Sequence, residues 1–369
     1  MSDSIAAGLE VIAWYLKEFQ AICSDLKVTV VANTKTGTKK GADYASHSIE
    51  TEFFSEGEVE EILCSIRALG IYADLYLNED DFISDVITGR YHSTRKKRFN
   101  LVYSTAQNGV GPGRKSLIPA FCNLHRIPIT GSNPYVVSLC RHKYHYNKIL
   151  AALGVPVATT WLYSENFGWA GNNKPPEGTK VILKPTYESA SIGITETSIA
   201  VFNRDTESQI KSLSLHFKQP ITVQQFVQGY EVEVPVFCHG DYFSFHAVGI
   251  EIDGDCFLDD KILTYERVYN DTYGFYIYNG PSAEAIISAA VDAARILGIS
   301  AIGRIDFRIA ESGEGFITDV STNPHLTSFG SCAFLFRELS LQHSDLVGIW
   351  LALGASSAGF LGLRPELEV

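Results

Sequence analysis

Apolar residues recur at helical spacing from the start of the chain, at Ile5, Leu9, Ile12, Leu16 and Phe19, and predict an amphipathic surface helix packed on the body of the molecule. Asp3, Glu10 and Lys17 interleave with them, which is not the pattern of a signal peptide. Val28 to Ala32 then reads as a buried strand, followed by the polar loop Asn33 to Gly41. Glu58 to Leu69 returns to helical spacing and stops at Gly70, Ile71 to Leu77 is strand-like, and Asn100 to Tyr103 gives a third strand. Ser116 to His125 reads as a helix leading into Ile127 to Gly131. Strands alternating with helices predict an α/β domain with a doubly wound parallel sheet over residues 1–131. Ligands on such sheets bind beyond the carboxyl ends of the strands, which singles out the loops 33–41 and 104–115 with Lys35, Lys39, Lys40, Arg114 and Lys115. The same loops also read as ordinary solvated connections. The run Arg95 to Arg98 lacks that position and reads as a surface turn.

From Ser132 the pattern changes. A helix is predicted over Tyr135 to Leu153, then a short strand over Lys180 to Lys184. Thr186 to Gly193 is small and hydroxyl-rich, with Ser189 and Ser191; such a loop lets backbone amides approach phosphate oxygens, and it is also an ordinary hairpin connection. Ile221 to Val227 and Glu231 to Phe237 read as strands, Ser282 to Leu297 as a helix, and a final helix starts near Ser331. The domains expected are 1–131, 132–228 and 229–369. Leu346 to Leu363 carries no charge and is long enough to raise a membrane span, but Gly348, Gly354, Gly359 and Gly362 favour a buried last helix followed by a loop.

Between them lies the segment of greatest chemical interest, residues 304–323. With a turn at Glu311 to Glu314, Asp306 falls opposite Asp319 and Arg304 opposite Ser321; Arg304, Asp306 and Arg308 share one face, Ile305, Phe307 and Ile309 the other. Like charges directly opposite repel, unless a cation such as Mg²⁺ sits between them. The competing reading is a solvated outer face of an edge hairpin.

At 369 residues the chain is long enough for two or three domains, with a cleft between them as the expected site. A net charge of -12 argues against a broad nucleic-acid surface. Seven scattered cysteines with no C-x-x-C pair suggest neither a disulfide framework nor a zinc site, but reduced core thiols in a cytoplasmic protein.

Six phrases stand in a familiar order: Lys143; Val181-Ile-Leu-Lys184-Pro185 with its small-residue loop; Gln224 to Glu231; Lys261; Gly303-Arg-Ile-Asp-Phe307; and Asp319-Val-Ser-Thr-Asn-Pro324. With Ile129 to Asn133 and Gly154-Val-Pro-Val157 they resemble the ATP-grasp ligases of the D-alanine:D-alanine ligase branch, over about Asn100 to Leu353. The resemblance implies an N-terminal domain followed by two α+β subdomains that sandwich ATP, and an acyl-phosphate route joining a carboxylate to an amine. Lys143 and Lys184 would neutralise phosphates, and Ser189 and Ser191 would belong to a loop closing over them. Gln224, Gln225, Phe226 and Val227 would read adenine, and Glu231 the ribose. Lys261 would reach the transferred phosphoryl group, Asp306, Asp319 and Ser321 would hold one or two Mg²⁺, and Arg304 would stabilise developing negative charge. The implied partners are ATP and two small molecules, without nucleic acid or membrane, and a homodimer whose surface the added N-terminal helix alters.

Departures from the family pattern bear on the substrates. Asp319 and Ser321 stand where the family has glutamate and asparagine, His325 where it has glycine, and Gly330 where a hydroxyl grips the second substrate's carboxylate, with Ser328 and Ser331 nearby. The glutamate-bearing loop after the first strand is replaced by the basic loop 33–41, and Ser104 to Lys115 contains no acid. Lys39 and Arg114 therefore predict a donor with an extra carboxylate or phosphate. The aromatic stretch Tyr265 to Tyr278, including Tyr273, either walls a substrate or packs its own loop. The expected activity is a specialised peptide or amide ligase; an authentic D-alanine:D-alanine ligase and a catalytically altered ATP-binding regulatory protein remain the alternatives.

Overall fold

The computed structural model describes residues 2–36, 52–93, 97–109 and 111–362. Lys39, Lys40 and Arg95 lie outside the described residues. Three strands, β1 (Leu26–Val31), β2 (Tyr72–Tyr76) and β3 (Phe99–Ser104), form a parallel sheet in the order β2-β1-β3. Every residue of β1 is buried, as a central parallel strand covered on both faces requires. The helix Glu56–Ala68 on this sheet starts two residues before the predicted Glu58, at a capping box in which Ser55 and Glu58 satisfy each other's backbone amides.

A second, antiparallel sheet has the order β5-β4-β8-β6-β7, from β4 (Thr160–Ser164), β5 (Gly168–Trp169), β6 (Lys180–Pro185), β7 (Ile199–Val201) and β8 (Ile221–Gln225). Ile210 of the helix Arg204–Phe217 packs with Val181, Leu183 and Val223 on one of its faces. A third sheet comprises β9 (Tyr230–His239), β10 (Asp241–Phe243), β11 (Ala247–Glu251), β12 (Gly274–Tyr278), β13 (Ala301–Ile309) and β14 (Gly315–Ser321). Its path is β12-β11-β9-β13-β14, with β10 pairing β9. Ala290, Ala293 and Ala294 are buried on the helix Ala283–Leu297, where small side chains let it sit close to the sheet.

Between the second and third sheets the chain turns at Gly229, with φ +144°. A Cβ there would stand 1.9 Å from the Ile309 carbonyl oxygen, so only glycine lets the chain entering β9 pass this close to the end of β13.

Two predicted helices are each broken in two. Tyr135 to Leu153 is Pro134–Arg141 followed by Lys143–Ala152, because His142 leaves helical conformation at ψ 91° and caps the second piece itself. The C-terminal run is Ser331–Glu338 and His343–Ser357, separated at Ser340 with φ 59°. The aromatic stretch from Tyr265 is a short helix, Tyr265–Tyr269, leading into β12. No helix among the described residues is long and apolar enough to cross a membrane. All seven cysteines are free.

From Leu346 on, the last helix carries no charge and lies inside a core shared with the first helix, Ser2–Gln20, and with β1. Trp350 is 1% exposed, its indole N–H donates to Thr130 Oγ1 at 3.0 Å, and its ring packs on Tyr103 with centroids 5.9 Å apart. It ties the C-terminal helix to the N-terminal sheet. Trp350→Ala should lower stability by about 3–5 kcal/mol, read as an earlier midpoint in urea unfolding of the full chain.

Candidate functional site

The ladder β9-β13-β14 builds one side of a cavity of about 490 Å³. Arg304 lies opposite Ser321 and Asp306 opposite Asp319, as the hairpin pattern predicts; the turn runs from Ala310 to Glu314, with a register shift after Asp306. Arg304, Asp306, Arg308, Asp319 and Ser321 all line the cavity. The hairpin does lie at the edge of the sheet, where β14 ends the path, but the face lines the cavity and is not an outer solvated surface. Asp306 also lies opposite Glu233 of β9, so three carboxylates stand side by side across three strands.

Protein cations compensate them. The Arg304 guanidinium donates to both oxygens of Asp306 at 2.8 Å and approaches Glu233 at 3.2 Å. Lys143 donates to Asp319 at 3.1 Å, and Tyr146 donates to the same carboxylate at 2.9 Å. Lys184 donates to Gln224 Oε1 at 2.8 Å and to the Thr318 carbonyl at 3.3 Å. Burial raises the pKa of Asp319, but Lys143 and Lys184 outweigh it and hold this carboxylate down to about 2. Burial pushes Glu233 up to about 7, with Arg304 opposing and Asp306 adding to the rise. Lys184 is brought down to about 8, chiefly by burial.

An apolar slot adjoins these charges, formed by Ile182, Ile194, Phe226 and Ile262. Arg308, which sequence reasoning placed on the face but gave no role, stacks over Phe226 at 5.0 Å, pairs with Glu231 at 3.2 Å and donates to the Val227 carbonyl at 2.9 Å. Gln224, Gln225, Phe226, Val227 and Glu231 all line the cavity.

The loop 186–193 contributes Ser189 and Ser191 to the wall. Ala190 and Ser191 have φ of 49° and 54°, an uncommon conformation for residues with a Cβ. Buried contacts hold the loop there. Ser189 N–H donates to Glu52 at 2.7 Å, Arg141 donates to Glu52 at 2.7 and 2.9 Å and to Ser189 Oγ, and Arg114 bridges Glu52 and Glu188 at 3.1 and 2.9 Å. Sequence reasoning missed Glu52, whose distance from β1 along the chain hid it.

These contacts correct the expected cationic pocket. Arg114 is 2% exposed and closed off by Glu52 and Glu188, so it does not face the cavity. Lys115 does face it, meets Ser189 Oγ at 3.2 Å, and is brought down to about 7 by burial and then by Arg141. Lys261 is a second correction. It does not line the cavity, which Ile262 and Leu263 reach instead, and it pairs with Asp255 at 2.6 Å.

Opposite the lysines, Tyr273, Ser328 and Ser331 line the far end with Phe275 and Phe329. The Tyr273 and Phe275 rings lie 5.3 and 5.6 Å from Phe329, so the aromatic segment forms part of the wall as well as packing on itself. His325 packs on Phe54 at 4.4 Å, and burial lowers it to about 4, leaving it neutral near pH 7.

Residues 152–351, more than half of the chain, match the family described as D-ala D-ala ligase C-terminus. A D-alanine--D-alanine ligase of Streptococcus agalactiae serotype Ia is 25% identical over 248 residues, covering 64% of this chain and 68% of the relative. One of Aromatoleum aromaticum is 23% identical over 289 residues, covering 77% and 86%. Among solved structures, a D-alanine--D-alanine ligase from Bacillus anthracis complexed with ATP has a TM-score of 0.66 at 14% identity, covering 90% of this chain and 99% of that one. The VanG D-Ala:D-Ser ligase from Enterococcus faecalis has a TM-score of 0.61 at 16% identity, covering 89% and 99%. At these identities the structures establish the likeness of fold.

The Glu52 cluster makes a prediction about pH. Burial opposes ionisation of Glu52, yet Arg141, Lys115 and Arg114 together hold its pKa well below the ordinary 4.5. A depressed carboxylate stabilises the fold above its unfolded value and loses that contribution as pH falls through the folded one. Stability measured by urea unfolding should therefore decline as pH drops below about 4.5, the unfolded value. Glu52→Gln should cost about 3 kcal/mol at pH 7 and flatten that decline.

Proposed function

The chain belongs to the D-alanine--D-alanine ligase family, and from that premise we propose that it joins a carboxylate donor, distinct from D-alanine, to an amine through an acyl phosphate. It is an ATP-grasp ligase forming C–N bonds. The observation that carries the reading is one cavity in which Lys115, Lys143 and Lys184 face Asp306 and Asp319 beside the apolar slot. Lys143 and Lys184 are assigned to the phosphates of ATP as point charges, with the amides and hydroxyls of Ser189 and Ser191 above them. The adenine ring fits the slot of Ile182, Ile194, Phe226 and Ile262, with Gln224 to Val227 along its edge and Glu231 toward the ribose. Lys261 has no part in this assignment.

Magnesium fits the donor set. Asp306 and Asp319 offer hard carboxylate oxygens, Ser321 lines the same wall, and Asn323 Oδ1 is buried there without a partner. When bound, the ion would neutralise phosphate charge. In the first step a donor carboxylate oxygen forms a bond to the γ-phosphorus as the bond to ADP breaks. The amine nitrogen then bonds to the acyl carbon, inorganic phosphate leaves with the electrons of the C–O bond, and the nitrogen loses a proton. Arg304 lines the same cavity beside Asp306, and it is assigned the electrostatic role of stabilising negative charge on the acyl group. The protein's own contribution is otherwise positioning and charge neutralisation.

Two features of the donor end set D-alanine aside. Glu52 is saturated by Arg114 and Arg141, which leaves it poorly placed to receive an ammonium group. Lys115 has no carboxylate at ion-pairing distance among the described residues, so a second anionic group on the donor would restore the charge that burial disfavours. The relatives' names favour the second reading, an authentic D-alanine:D-alanine ligase.

Phosphate release from MgATP across a panel of carboxylates and amines separates the two. Donors with an additional carboxylate or phosphate should support turnover; release with D-alanine alone would replace the first reading by the second. Nucleotide binding without ADP formation from any pair would point instead to an altered ATP-binding protein. Asp306→Asn should reduce turnover by a factor of at least about 100 while far-UV circular dichroism stays unchanged, since it removes a charged ligand and relieves repulsion with Glu233 and Asp319. Retained turnover would remove Asp306 from the metal site.

A further inference from the structure

Glu233 is left over by the assignments above. It faces the cavity from β9, its side chain is 8% exposed, and among the described residues its ion-pair partner is Arg304 Nη1 at 3.2 Å. That guanidinium is already gripped by both oxygens of Asp306 at 2.8 Å. One positive charge thus serves two carboxylates. Ser331, the first residue of the helix Ser331–Glu338, lines the same cavity and is 2% exposed; its hydroxyl adjoins the Glu233 carboxylate, and both Ser331 Oγ and Glu233 Oε2 are buried without a partner at full hydrogen-bonding geometry. Buried polar groups are satisfied in native proteins, and a donor entering the cavity would satisfy both atoms at once.

The surroundings decide its sign. Glu58 and Glu61 face this end of the cavity from the helix Glu56–Ala68, and Asp271 from the segment before β12. The nearby cation Lys35 is stacked over Tyr269 at 5.2 Å, and the half-buried His325 packs on Phe54. A carboxylate seeking Arg304 would have to displace Asp306 or Glu233, and Gly330 offers it no hydroxyl. An ammonium group meets no such obstacle: it donates to Glu233 and to Ser331 Oγ at once. Behind it, Tyr273, Phe275 and Phe329 form a wall of rings with centroids 5.3 and 5.6 Å apart. That wall suits a flat apolar body.

We propose that Glu233 and Ser331 receive the ammonium group of the acceptor, and that the acceptor is a primary amine with an aromatic or apolar body and no carboxylate. This rests on the ligase reading above and narrows its second substrate.

The test is calorimetric titration of the full chain with phenethylamine and, separately, with D- and L-phenylalanine, which differ from it by a carboxylate. Each titration is done with and without Mg²⁺ and a non-hydrolysable ATP analogue, whose own binding is measured first. Failure of the analogue to bind sinks the ligase reading, whereas the amine comparison judges the acceptor site. Phenethylamine should bind at least tenfold more tightly than either phenylalanine. Glu233→Gln should abolish that preference, and Glu233→Asp should restore part of it. Ser331→Ala, which removes no charge, should weaken the amine several-fold and serves if Glu233→Gln does not fold. Equal or tighter binding of phenylalanine, no binding of phenethylamine, or a preference that survives Glu233→Gln would overturn the proposal.

Discussion

Three carboxylates placed side by side by strand register are the constraint around which this molecule is arranged. Glu233, Asp306 and Asp319 occupy neighbouring positions on β9, β13 and β14 and would repel one another if left alone. Their compensation comes from different parts of the chain: Arg304 from the same strand as Asp306, Lys143 and Tyr146 from a helix, and Lys184 from the second sheet. The break at His142 makes Lys143 the first residue of a new helix, 9% exposed and aimed at Asp319. The cations are unevenly shared, so Asp319 is held ionised while Glu233 is pushed toward neutrality. That asymmetry gives neighbouring carboxylates different chemical capacities.

A second buried network lies beside the cavity. Glu52 and Glu188 bind Arg114 and Arg141, and through Ser189 they hold the loop 186–193 in a left-handed conformation at Ala190 and Ser191. Burying four charges in one place is favourable only when each finds its counterpart. The network therefore couples the N-terminal sheet, the helix Pro134–Arg141 and the loop at the phosphate end of the cavity. It leaves Lys115 without a carboxylate at ion-pairing distance among the described residues, with Glu52 acting on it only from farther away.

Much of this was legible in the chain. Short apolar runs identified β1, β3 and β6, and alternation identified β9 and the β13-β14 hairpin, because a strand's period of two fixes which side chains share a face. The Asp306–Asp319 pairing was expected from a turn at Glu311 to Glu314; the turn in fact starts one residue earlier, at Ala310, and a bulge after Asp306 restores the expected register. Helix breaks were not legible, since His142 and Ser340 disrupt helices through local conformations that no glycine or proline announces. The place of Lys261 outside the cavity was hidden for a related reason: its order in the motif is right, but Ile262 and Leu263 reach the cavity instead.

What the sequence determined by itself was the reaction class and the identity of the carboxylate-bearing hairpin that lines the cavity, because spacing along a strand and order along a chain are local or one-dimensional properties. The tertiary structure alone decided the electrostatics of the substrate ends. Glu52 meets Arg114 and Arg141 across 62 and 89 residues, and Glu233 meets Arg304 only through the pairing of β9 with β13. A charged side chain looks the same in sequence whether it is free or neutralised. Its capacity to bind a ligand depends on which opposite charge the fold places beside it, and on how little water remains between them.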